Sequence, residues 1–138
     1  MINFSKLWSI LLNQYPAFLK GAGITLQLAV ITVLLGSLLG LLVAILRRSH
    51  IKPLQWLMNA YIAFIRGTPL LVQTLLMVYG ILPNIAGLLN IKMSKLVMCN
   101  IALIINSGAY MAEIVRGGIL SIDKGQKEAA VAIGLTHW

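Results

Sequence analysis

Residues Ile24–Leu46 make a run of 23 residues without one charged side chain. A bilayer core of about 30 Å calls for about 20 apolar residues in a helix, so this run is long enough to cross it. In lipid the backbone must satisfy its own N–H and C=O groups, which a helix does within the segment. Two more apolar stretches follow, Pro69 to about Leu89 and Leu96–Val115. Of the 138 residues 59% are hydrophobic and 10% charged, with a mean hydropathy of +0.92. Soluble domains carry about a quarter charged residues, so the chain reads as one all-α membrane domain with three spans.

The net charge of +8 does not point to nucleic acid, because the cations sit at the ends of apolar runs rather than on one face. Cys99 is alone in an apolar run, so it reads as a packing residue and no disulfide can form within the chain. Residues 1–20 space Phe4, Leu7, Trp8, Leu11, Leu12, Tyr15 and Phe18 roughly three and four apart. Trp and Tyr favour the headgroup layer, so an interfacial helix ending near Pro16 is expected. A signal peptide is rejected, because Lys20-Gly21 leads straight into the longer apolar run.

In the first span, 24–46, Thr25, Ala29, Thr32, Gly36 and Gly40 share one helical face, and Gly36 and Gly40 would let another helix approach closely. Arg47, Arg48, His50 and Lys52 close that span, His50 reading as a loop cation, and Pro53 restarts the chain. Leu54–Ile65 either lies along the membrane face or joins the second span as a kinked helix from about Ala60. Thr68 as N-cap and Pro69 at the first helical position would start that span, with a kink near Pro83. After the loop Asn90–Lys95, the third span (96–115) places Cys99, Asn106, Tyr110 and Glu113 on one stripe, which should face other helices or water. Glu113 is the one acid inside an expected span, and Arg116 three residues on is spaced to pair with it.

The connections holding Arg47, Arg48, Lys52, Arg116, Lys124 and Lys127 outnumber in cations the arm and loop holding Lys6, Lys20, Lys92 and Lys95. That bias puts the N-terminus outside and Glu128 in the cytoplasm. A polar turn at Ser121–Gly125 precedes a small amphipathic helix over Gln126–Leu135. Ala129 and Ala130 permit close approach there, and Gly134 leaves a gap where a partner side chain could seat. No Gly-rich phosphate loop, metal-spaced cluster or serine elbow is present, so neither catalysis nor a cofactor or metal is expected of this chain.

Four segments, taken in order, carry a family likeness: Thr25–Gln27, Phe64–Gln73 (FIRGTPLLVQ), Asn106–Gly118 (NSGAYMAEIVRGG) and Lys124–Leu135 (KGQKEAAVAIGL). Together they resemble the permease subunits of ABC importers, in the branch that takes up polar amino acids such as histidine, glutamine, glutamate and arginine. The resemblance implies a bacterial cytoplasmic (inner) membrane protein of five spans, of which three are here, with a cytoplasmic coupling helix at 124–135. It implies a second permease subunit, a dimer of ABC ATPase subunits that hydrolyses the ATP, and an extracytoplasmic substrate-binding protein. Glu128, Ala129, Ala130 and Gly134 match the segment that docks into the ATPase.

Gln73, Thr74, Asn106, Tyr110 and Glu113 are candidates for the substrate path, against the ordinary reading of polar residues that bond between helices. Arg66 either snorkels to headgroups or orders the cytoplasmic gate, and Arg116 either pairs with Glu113 or stands beside the path. The family pattern runs on into two more spans where this sequence stops at Trp138, which reads as a fragment or a truncated, inactive permease. A small membrane scaffold or assembly protein is the alternative.

Overall fold

The computed structural model describes the backbone of residues 4–135, and Met1–Asn3 and Thr136–Trp138 of the expected domain lie outside the described residues. The side chains of Phe4–Leu7, Leu11, Lys124 and Lys127 lie outside them too. The described residues are helical throughout, joined by short turns. Three helical stretches, Leu12–Arg47, Leu70–Leu88 and Lys95–Leu120, are long and apolar enough to cross a membrane.

The first helix, α1, runs unbroken from Phe4 to Arg47 with Pro16 inside it. The expected end near Pro16, and a separate span from Ile24, are therefore corrected to one helix. Proline removes a single N–H donor and crowds the carbonyl four residues back. Ending the helix there would free several backbone groups instead of one, and long apolar helices hold together through such a defect. At 1.5 Å per residue the 44 residues of α1 extend about 66 Å, roughly twice the hydrocarbon core, so part of it projects beyond that core.

Helix α5 (Lys95–Leu120) packs along α1, and glycine sets how closely. A Cβ on Gly36 would sit 2.7 Å from Ser107 Oγ, and one on Gly40 would strike Met111 Cβ and come within 2.9 Å of Gly108 O. From the other side, a Cβ on Gly108 would meet Leu39 Cδ2 at 2.7 Å. The glycine face expected in the first span is thus a contact seam with α5. Asn100 on α5 is buried and donates to Leu28 O (3.1 Å) and Thr32 Oγ1 (3.0 Å), which adds a polar tie to the seam. Below it, Val43 and Ala44 of α1 bury with Ala112 of α5 and Ile62 of the next helix.

That next helix, α2 (Lys52–Gly67), ends before Thr68 and Pro69, so it is separate from the second span. Thr68 is the residue that closes α2, and Pro69 takes the N-cap place expected for Thr68. The second span then runs as α3 (Leu70–Leu75), a π-helical stretch (Leu76–Ile81) and α4 (Leu82–Leu88). The π-helical turn sits just before Pro83, where the Leu82 N–H reaches back five residues to Met77 O. A register change of this kind absorbs the bond that proline cannot make, in place of a simple kink. Val78 and Leu82 of this span bury against Met98 of α5, with Cys99 packed beside them.

Helix α4 closes at Asn90, whose φ of 55° is left-handed, with Asn90 N–H on Gly87 O (3.3 Å) and Ile91 N–H on Ala86 O (2.9 Å). That is a Schellman end, in which asparagine tolerates the strained backbone. Outward, Leu26, Leu34 and Leu38 are 70%, 61% and 64% exposed, a surface that fits lipid or partner helices rather than water. Gly40→Leu should overfill the seam and lower stability in detergent by about 1–3 kcal/mol, whereas Gly21→Ala, with open space around it, should leave it within about 0.5 kcal/mol. Unfolding by denaturing detergent measures both.

Candidate functional site

Glu113 stands three-quarters of the way along α5 with its side chain 23% exposed. An isolated carboxylate at such depth is costly, and three arginines answer it. Arg47 at the last turn of α1 donates Nη1–H to Oε1 in a short, direct bond. Arg116, one turn on, donates Nε–H to Oε2 at 3.3 Å. Arg66, in the last turn of α2, brings Nη1 to 3.9 Å from Oε1. One carboxylate thus joins three helices, and two of its cations sit at helix C-termini, where the peptide dipoles favour positive charge.

The expected Arg116 pair is present, but the shorter contact comes from Arg47, which the sequence offers only as a cation closing a span. Arg66, with its side chain 44% exposed, places its Cζ 5.5 Å from the Tyr110 ring centroid and its Nη1 toward Glu113. Tyr110 itself is half exposed, so its ring is an accessible surface beside the cluster.

Gln73 has a different task. Its Nε2 donates to Ile65 O (2.7 Å), Thr68 O (3.0 Å) and Thr68 Oγ1 (2.7 Å), and its Oε1 accepts from Asn106 Nδ2 at 3.0 Å. The last carbonyls of a helix lack partners within it, so this buried amide caps α2 from the following helix and ties the corner to α5. Thr74 donates to Leu70 O of its own helix at 2.9 Å. Of the expected path residues, Gln73 and Asn106 meet each other, Tyr110 and Glu113 share Arg66 as a neighbour, and Thr74 joins neither pair. Tyr61 of α2, which the sequence did not mark, donates its hydroxyl to Ile105 O at 2.5 Å. Burial lifts its phenol above the usual range and keeps that donor protonated.

Beyond α5 the turn Ser121–Asp123 leads into α6 (Lys124–Ala132). Asp123 caps it by accepting from Gly125 N–H at 2.6 Å. Gly134 has φ +83°, and Gly134 N–H on Val131 O (3.0 Å) with Leu135 N–H on Ala130 O (3.0 Å) closes a Schellman motif. Gly134 therefore ends the helix as well as leaving open space beside it, for nothing lies within 4 Å of a Cβ built there. Glu128 and Ala129 are exposed and Ala130 is half-buried.

The family described as "Binding-protein-dependent transport system inner membrane component" matches residues 36–138. The chain belongs to that family. The stretch matched takes in the seam glycines, the Glu113 cluster and α6, so the inner membrane component carries its site within the family's own domain. The chain is 38% identical over 94% of its length to the arginine transport system permease protein ArtQ of Bacillus subtilis, covering 58% of that protein. It is 38% identical over 95% to the glutamate/aspartate import permease protein GltK of Escherichia coli O157:H7, covering 60%. A crystal structure of an amino acid ABC transporter with histidines superposes with TM-score 0.81 and 39% identity over 99% of this chain and 60% of that one. The chain spans about three fifths of the length of the relatives it matches.

Gln73 bonds between helices whereas Thr74 bonds only within its own, which gives a test. Gln73→Met should remove the α2 cap and the Asn106 partner together, costing about 1–3 kcal/mol and speeding amide exchange around Thr68. Thr74→Val should stay within about 0.6 kcal/mol, the mean for hydrogen bonds inside membrane proteins.

Proposed function

We propose that this chain is the membrane-spanning permease part of an ATP-driven importer that moves polar amino acids across the inner membrane of a bacterium. The observation that carries the reading is α6: a short helix, capped at Asp123 and stopped at Gly134, that presents exposed Glu128 and Ala129 just past the end of a span. Glu128, Ala129, Ala130 and Gly134 form the contact with an ATPase subunit, and small residues let that partner's cleft close on the helix backbone. Closure of the ATPase pair then moves α6, and with it α5 and whatever α5 is tied to, as a rigid body. ATP hydrolysis belongs to those separate subunits.

A second permease subunit, alike or different, covers apolar surface of the spans, and an extracytoplasmic binding protein delivers the amino acid. In the path, Tyr110 beneath Arg66 offers the accessible contact, while Gln73, Asn106 and Glu113 fix the helices around it and Thr74 lines the second span. Arg66 and Arg116 hold the inner end of the path through Glu113. The named substrates of the relatives include arginine and glutamate/aspartate, of opposite charge, so the class supported is the polar amino acid. The N-terminus lies outside and α6 in the cytoplasm, as the cation bias argues.

In the assembled transporter, Ala129→Arg should leave membrane insertion intact and cut both ATPase co-purification and uptake at least about tenfold, a loss on the scale of removing one interface anchor. Normal co-purification with normal uptake would refute the docking role. In a chain whose Cys99 is replaced by serine, a cysteine at Asn90 should react with an impermeant thiol reagent from outside and one at Ser121 should not. The reverse pattern would overturn the orientation.

A further inference from the structure

The last turns of α1 and α5 and the first half of α2 line an open cleft of about 810 Å³, in which Arg48, Gln55 and Asn59 have no part in the transport reading. Arg47, Arg48, Arg116, Gln55 and Asn59 supply its polar wall. Two of the arginines also hold Glu113, yet each does so through one nitrogen, Nη1 of Arg47 and Nε of Arg116. A guanidinium carries five N–H donors, so both keep donors to offer elsewhere. Arg48 is exposed and has no acidic partner among the described residues. Three guanidiniums against one carboxylate leave the cleft strongly cationic. One turn on from Arg116 along α5 the lining is apolar: Ile119 and Leu120 are 43% and 65% exposed there, at the end of a membrane span.

We propose that this cleft binds the phosphate of an anionic phospholipid headgroup from the adjoining leaflet. Arginine pairs suit the two free phosphate oxygens through forked hydrogen bonds, and the Ile119–Leu120 wall receives the glycerol backbone and first acyl carbons. A soluble phosphate would meet the same arginines but gain nothing from that wall, which favours the lipid as source. The cleft volume falls within the range of small-molecule sites. Asn59 Oδ1 is buried without a hydrogen-bond partner, and a headgroup hydroxyl can donate to it once the amide turns toward the cleft. The site needs only that the chain spans a bilayer, and it is independent of what the chain transports.

The test uses the full chain, reconstituted in vesicles of equal parts phosphatidylglycerol and phosphatidylcholine, extracted in mild detergent and weighed by native mass spectrometry. Bound phosphatidylglycerol should exceed phosphatidylcholine, and Arg48→Gln should lower that preference about fivefold, the worth of one basic residue at a membrane surface. Arg48→Lys should restore only part of it, because an ammonium keeps the charge but cannot make the forked pair, and Lys52→Gln, a cation at the same end that does not line the cleft, should change it less than twofold. Equal losses in the Arg48 and Lys52 variants would reduce the effect to diffuse attraction and overturn the site. Displacement of the lipid by millimolar inorganic phosphate would assign the cleft to a soluble anion and overturn the headgroup assignment. No preference for phosphatidylglycerol in the native chain would overturn the proposal altogether and leave the cleft to a protein partner.

Discussion

A carboxylate placed near the end of a membrane helix must be neutralised locally, and Glu113 meets that demand with Arg47, Arg66 and Arg116. Because the three cations come from α1, α2 and α5, the charge requirement becomes a structural one. None of the three helices can shift far without uncovering the acid. Removing Glu113 would leave three guanidiniums crowded together without an acid, which costs more than the intact pairs contribute. Two features of this end of the bundle agree with it: α2 ends beside α5 with Arg66 near Glu113, and Arg116 lies on the same side of α5 as Glu113.

The glycine seam and the ionic cluster support each other. Without Gly36, Gly40 and Gly108, α1 and α5 could not approach closely enough for Arg47 to reach Glu113. In lipid there is no hydrophobic force to draw the helices together, so close backbone contact and internal polar bonds must do so. The structure uses both kinds along one interface, with Asn100 on Thr32 and Leu28 O near one end and Glu113 on Arg47 near the other. Gln73 extends the scheme to the second span, because its amide caps α2 and engages Asn106 at once. α5 is thereby tied to α1, α2 and α3 through named contacts.

The apolar spans were legible from length and charge alone, and the Gly36–Gly40 face from spacing. The pairing of Glu113 with Arg116 was legible too, because three residues on a helix fix a distance. Arg47 was not: it is 66 positions away from Glu113, and only the packing of α1 on α5 brings them together. Pro16 misled in the other direction, since a local breaker lost to the cost of opening a long apolar helix. Gln73 read as a candidate path residue or an interhelical bond, and its amide caps the free carbonyls at the end of α2, a contact that no periodicity reports. At Gly134 the residue type was the clue and its backbone role was missed, for the open space beside it and the left-handed turn come together.

The central claim is that Glu113 couples α1 to α5 through Arg47. A double-mutant cycle on Arg47→Gln and Glu113→Gln, with unfolding free energies measured in one detergent, tests it most directly. The account predicts that each single change destabilises the chain, and that the pair together costs less than the sum by about 1–3 kcal/mol. Additivity within about 0.5 kcal/mol would show that the two residues do not act on each other, and the Glu113 cluster would not be what holds the helices together.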